Sequence, residues 1–172
     1  MVLATNHCFE CDFDYDTLRA DDVSVLVRSF PPAYRAAAEA VDDDVLRTPS
    51  GPWTWSALEY LCHVRDVFGI NHERFRRVVD EDTPELGSMN RDVKAIVERY
   101  NEQDPRDALA TFESHAEALA AYVTELPADA WDRTGVYPVA GELPLLWMAA
   151  NLVHEGRHHL LDVKRVITAV TA

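Results

Sequence analysis

The chain has 172 residues, with 16 basic against 30 acidic side chains and a formal net charge of -14. That length suits one domain with a substantial core, and the 48% apolar content argues against a disordered or fibrous chain. Acidity of this degree argues against nucleic-acid binding, which needs clustered Lys and Arg.

No apolar run reaches the roughly 18 residues of a membrane span. The opening "MVLATNHCFE" has neither the basic flank nor the long apolar run of a signal peptide. These features predict a cytoplasmic protein with no membrane partner. Three cysteines without framework spacing read as thiols or metal ligands, not disulfides.

Residues 1–19 show no periodic face and read as an irregular arm, followed by one helical domain over 20–172. A first helix is predicted from about Asp21 to Asp43, interrupted at "SFPP" because prolines donate no backbone hydrogen bond. This stretch reads as one kinked helix or two short ones, and its apolar face could support a homodimer. "TPSGPWTWS" is a break. Thr54 is the expected N-cap of a long second helix reaching Val79. A short helix is expected over Asn90 to Tyr100. The next start is well marked, with Asp104 at the N-cap and Pro105 at the first helical position. Residues 127–144 read as an irregular connection, long for a compact bundle. A last helix is predicted from about Leu143 to Ala169. The fold class that follows is all-α, a four-helix bundle with an irregular N-terminal arm.

The segment "HEGRHHLLDV", residues 154–163, is the richest in chemistry. On a helical wheel with Leu152 at zero, the residues Leu145, Ala149, Gly156, Val163 and Ile167 fall within about 0° to 60°, a buried stripe. His159 lies at about 340°, inside the stripe, and Glu155 at about 300°, on its edge. His154 lies at about 200° and His158 at about 240°, largely outside it. Glu155 with His159 is therefore the expected inward pair, and His154 with His158 the alternative. A buried carboxylate beside a buried imidazole is costly unless a partner such as a divalent metal neutralises it. Gly156 leaves room for a close approach. "HEGRH" also matches the zinc-protease pattern H-E-x-x-H, but its two histidines face away from the stripe and no strand is expected to hold a peptide.

His63 is the best third ligand, at the margin of the core face defined by Ala57, Leu61, Val64, Phe68, Phe75 and Val79. His72 and His115 read as solvated or capping residues. Cys8 and Cys11 form a C-x-x-C that with His7 could be half a zinc site. With no fourth ligand evident, they read as free thiols on a mobile arm, and Cys62 as a small buried residue. Trp53, Trp131, Tyr137 and Trp147 are candidate pocket walls.

Two motifs carry a family resemblance. "W-S-x-x-E-x-x-x-H" in Trp55 to His63, preceded by "GPW", and "E-x-x-x-H-x-x-D" in Glu155 to Asp162 resemble the second-helix and last-helix motifs of the DinB-like superfamily. That superfamily includes the bacillithiol and mycothiol S-transferases and the N-terminal domain of mycothiol-dependent maleylpyruvate isomerase. The resemblance implies a DinB/YfiT-like bundle over about residues 20 to 170. It also implies a divalent metal held by His63, Glu155 and His159, with Asp162 orienting His159. The extra C-terminal domain of the isomerase is not expected here.

Three protein ligands leave open positions, which suits catalysis, and the donor set suits zinc first, with nickel, iron or manganese also accommodated. The function these features imply is a metal-dependent transferase that activates a low-molecular-weight thiol cosubstrate against a small-molecule electrophile. The competing readings are a non-catalytic stress-associated metal- or ligand-binding bundle and a metal-dependent hydrolase.

Overall fold

The computed structural model describes residues 6–137 and 140–172. Residues 1–5 of the expected arm, and Pro138 and Val139 of the expected connection, lie outside the described residues. The helices are α1 (Ala20–Ala38), α2 (Asp43–Arg47), α3 (Ala57–Asp80), α4 (Arg91–Val97), α5 (Pro105–Thr124) and α6 (Leu145–Thr171). Among the described residues two hairpins accompany them. Strands β1 (His7–Cys8) and β2 (Phe13–Asp14) pair antiparallel, as do β3 (Thr134–Tyr137) and β4 (Gly141–Pro144).

The four long helices form the bundle. Helices α1 and α3 each pack against both α5 and α6. The successive long helices α1 and α3 therefore face each other across a diagonal, and so do α5 and α6. The links over 39–56 and 125–144 span these two diagonals. The second link holds the β3–β4 hairpin, where the sequence predicts an irregular connection. The hairpin is anchored from outside by Leu86 N donating to Val136 O at 2.9 Å and Val136 N donating to Pro84 O at 2.9 Å. Aromatic rings fill the bundle centre: Phe68 meets Phe30 at 5.9 Å and Phe112 at 4.9 Å between centroids, both edge-on.

One helix expectation is narrowed and another corrected. Helix α1 runs through Pro31 and Pro32 as one element. Its buried positions Val23, Val27, Phe30, Tyr34 and Ala38 keep a helical spacing on both sides of the prolines. Burial of that stripe outweighs the missing backbone donors. Helix α3 is capped by Ser56, not Thr54. Ser56 Oγ accepts from Glu59 N at 3.1 Å while Ser56 N donates to Glu59 Oε2 at 2.8 Å, a reciprocal capping box.

The described part of the N-terminal arm is docked, contrary to the expectation of mobility. Cys11, Phe13 and Tyr15 are buried. The Phe13 and Tyr15 rings lie 5.9 Å and 5.3 Å from that of His154, and Tyr15 stacks on Trp147. Arg165 Nη1 donates to Glu10 Oε2 at 2.9 Å on the rim. Strands of two residues are too short to show a periodic pattern, so the sequence carries no sign of this packing.

Candidate metal centre

Helix α6 buries Leu145, Met148, Ala149, Leu152, Gly156, His159, Val163 and Val166. That stripe fixes the helix rotation and so turns Glu155 and His159 toward α3. Gly156 sits where α1 comes closest: a Cβ there would lie 2.9 Å from the Phe30 ring. Tyr34 Oη donates to Gly156 O at 3.0 Å and fastens the same crossing.

His63, on α3, is fully buried rather than marginal. Its Nε2 lies 3.3 Å from Glu155 Oε2, and His159 Nε2 lies 3.3 Å from the same oxygen. The two imidazoles meet edge-on at 4.9 Å. Tetrahedral bonds of about 2.0–2.1 Å place neighbouring donor atoms about 3.4 Å apart. The observed spacing matches that figure and is longer than a usual hydrogen bond.

Behind the triad, His159 Nδ1 donates to Asp162 Oδ2 at 2.9 Å. This bond leaves Nε2 as the nitrogen that faces Glu155. Burial opposes ionisation of Glu155, yet the His159 and His63 imidazoles beside it hold its carboxyl well below the usual range. Burial opposes protonation of His159, but Asp162 and Glu155 outweigh it and raise the imidazole to about 9. His159, whose imidazole favours the protonated form, thus lies between the carboxylates of Glu155 and Asp162. His63 Nδ1 is buried with no hydrogen-bond partner among the described residues.

A cavity of about 550 Å³ opens beside the triad. His63 and Glu155 form one wall, and Asn71, Arg74, Tyr137 and Asn151 contribute polar groups. Arg74 stacks over Tyr137 at 4.9 Å, donates to its Oη at 2.9 Å and reaches Gly87 O. A larger hollow of about 700 Å³ lies between the arm and α1, but it touches none of the triad.

Of the aromatic residues expected to line a pocket, Tyr137 does so. Trp131 is buried in the core, Trp147 stacks on Tyr15, and Trp53 is 97% exposed. Around the triad the rings that pack on His63 and His159 are instead Trp55 and Tyr60, at 5.2 Å and 5.3 Å. His115 bonds Arg65 O through Nδ1 at 2.9 Å, and His72 packs on Tyr122. Sequence reasoning passes over Asn71, Arg74 and Asn151. Their signal is spacing: Asn71 and Arg74 follow His63 by about two and about three helical turns, and Asn151 precedes Glu155 by about one, all same-face intervals.

The two registers of α6 do not compete. His154 and His158 face the arm, where ligand atoms of Cys8, Cys11, His154 and His158 all lie within 4.8 Å of one another. The outer face is covered by the β1–β2 hairpin, which the helical wheel could not reveal.

Bundle and triad together define a helical protein with a three-donor, metal-capable centre at the edge of a polar cavity. The chain belongs to the DinB superfamily, whose family model matches residues 28–163. It is 24% identical over 139 residues to a Bacillus licheniformis protein that bears the provisional name metal-dependent hydrolase, covering 80% of this chain and 79% of that one. Among solved structures it resembles YfiT from Bacillus subtilis, described provisionally as a metal-dependent hydrolase with an unusual four-helix bundle topology. That match has a TM-score of 0.77 at 19% identity, over 85% of this chain and 86% of the other. It also resembles the mycothiol-dependent maleylpyruvate isomerase, with a TM-score of 0.64 at 18% identity, over 89% of this chain and 68% of that chain.

Proposed function

We propose that the protein is a metal-dependent enzyme in which His63, Glu155 and His159 hold one divalent cation, zinc by preference, and that it transfers a low-molecular-weight thiol to an electrophilic small molecule. The observation that carries the reading is the convergence of the two Nε2 atoms on Glu155 Oε2 at 3.3 Å, at the wall of a cavity. When bound, such a cation supplies a lowered pKa to a coordinated thiol.

The chain's own residues do the remaining work. Asp162 fixes the His159 tautomer. Trp55 and Tyr60 pack on the two imidazoles and keep bulk water from that side. Arg74, with its guanidinium held over the Tyr137 ring, offers a fixed cation to an anionic group of the substrate. Asn71 and Asn151 flank the cavity as neutral polar groups that orient it. The mycothiol dependence of the structurally similar isomerase supports a thiol cosubstrate.

The second reading is hydrolysis, supported by the provisional names of the Bacillus relatives. Turnover by zinc-loaded protein decides between them. A rate that requires added thiol and yields a conjugate supports transfer. A thiol-independent rate with a pH limb near neutrality supports hydrolysis. Loss of both in His63→Ala is expected under either.

A further inference from the structure

We propose that Cys8, Cys11, His154 and His158 form a second metal site, a closed tetrahedral zinc site that fastens the N-terminal arm to α6. The residues combine C-x-x-C from one end of the chain with H-x-x-x-H from the other. Those are the ligand types and spacings of structural zinc sites. The arm lies outside residues 28–163, so its cysteines are not part of the family match.

The geometry supports four ligands to one ion. All four donor atoms fall within 4.8 Å of one another, and Cys8 Sγ lies 3.5 Å from His158 Nδ1. With metal–sulfur bonds of about 2.3 Å and metal–nitrogen bonds of about 2.0–2.1 Å, a tetrahedral sulfur–nitrogen edge is about 3.5 Å. Both thiols are free. His154 Nε2 is buried with no hydrogen-bond partner among the described residues, a cost in any role that leaves this face without a ligand. Just after Cys11 the chain turns back through Asp12 at φ 53°, a left-handed conformation that Asp tolerates, and this brings both sulfurs to one side of the hairpin.

The surroundings are built as for a metal. His158 Nε2 faces Asp162 Oδ2 at 3.7 Å, the same oxygen that accepts from His159 Nδ1. One carboxylate thus backs a histidine of each cluster. Four protein donors leave no open position, so the site is structural. Two thiols release their protons to solvent as the ion binds, and no electron moves. Two strands of two residues cannot hold themselves together in water. The ion would add to the packing of Phe13 and Tyr15 in fastening the arm, and through Tyr15, which donates to Asn151 Oδ1 at 3.2 Å, it would steady a wall of the triad's cavity.

The test uses the full chain, purified with reductant, stripped by chelator and refilled with cobalt(II). With a phosphine reductant and no added thiol, two ions per chain are expected, with a sulfur-to-cobalt charge-transfer band that the triad's own ligands, which hold no sulfur, cannot produce. The double variant Cys8→Ser, Cys11→Ser should lose the band and one ion. His63→Ala should lose the other ion and keep the band. His158→Cys should retain both ions with a stronger band, which separates ligand removal from failure to fold. No thiolate band in saturated wild-type protein would overturn the proposal. So would a band that survives removal of both cysteines, or a Cys8–Cys11 disulfide in protein purified with reductant. A wild-type band with only one ion per chain supports this site and overturns the triad reading instead.

Discussion

The two sides of α6 carry similar residues and face different surroundings. Glu155 and His159 look inward to His63 and a cavity, while His154 and His158 look outward to the two cysteines of the arm. A shift of one residue rotates a side chain by about 100°, so one short stretch of helix serves both sides. The inner group has three donors beside open space, the arrangement of reactive centres. The outer group has four donors and a covering hairpin, the arrangement of structural ones. Residue type alone does not separate the two; the number of neighbours that each side can recruit does.

The largest expected effect sets one side against the other. His159→Ala should remove the triad's metal and lower turnover at least about 100-fold, since loss of a ligand's supporting partner alone costs about 10- to 100-fold. His158→Ala should leave triad loading intact and lower thermal stability. Equal loss of turnover in both variants would show that the two sides are one functional unit.

A second effect is in pH. In chelated protein, His159 is raised from 6.5 to about 9 against the opposing effect of burial, by Asp162 and Glu155. Its contribution to stability is fully present below pH 6.5 and is lost as pH rises through about 9, up to roughly 3 kcal/mol. Glu155 is shifted down from 4.5, so its contribution is present above pH 4.5 and is lost as pH falls through the lowered value. The difference in urea midpoint between wild type and His159→Gln should therefore shrink as pH rises from 6.5 through about 9. Metal affinity should run the other way and rise with pH, because the cation displaces the His159 proton.

Asp162→Asn acts on both groups at once, because this carboxylate touches each. Metal affinity at the triad should fall about 10- to 100-fold. The outer group, at 3.7 Å rather than 2.9 Å, should lose less. Competition titrations with a chromophoric chelator would read both. Gly156→Ala, between the two sides, should cost about 1–3 kcal/mol by forcing the Phe30 ring away, measured by thermal or urea unfolding. No loss of stability would mean that α1 gives way freely.

Much of the bundle is legible in the sequence. The apolar stripe of α6, the Asp104–Pro105 start of α5 and the inward direction of Glu155 and His159 are all local consequences of helical geometry. The prolines of α1 leave one helix or two open in sequence, and a long-range effect, burial of Phe30 and Tyr34, selects one. Trp53 misled because an aromatic residue in a turn looks the same in sequence whether it lines a pocket or stands in solvent.

The order of residues is enough to say which faces of which helices are apolar, and therefore which side of α6 turns toward the core. That follows because a helix repeats every 3.6 residues and its neighbours are set by the chain. It took the folded chain to show that the His154–His158 side is covered, and that Cys8 and Cys11 cover it. Those residues stand at opposite ends of the sequence. Their meeting depends on Phe13 and Tyr15 packing against α6, and a two-residue strand is too short to announce such a contact in sequence.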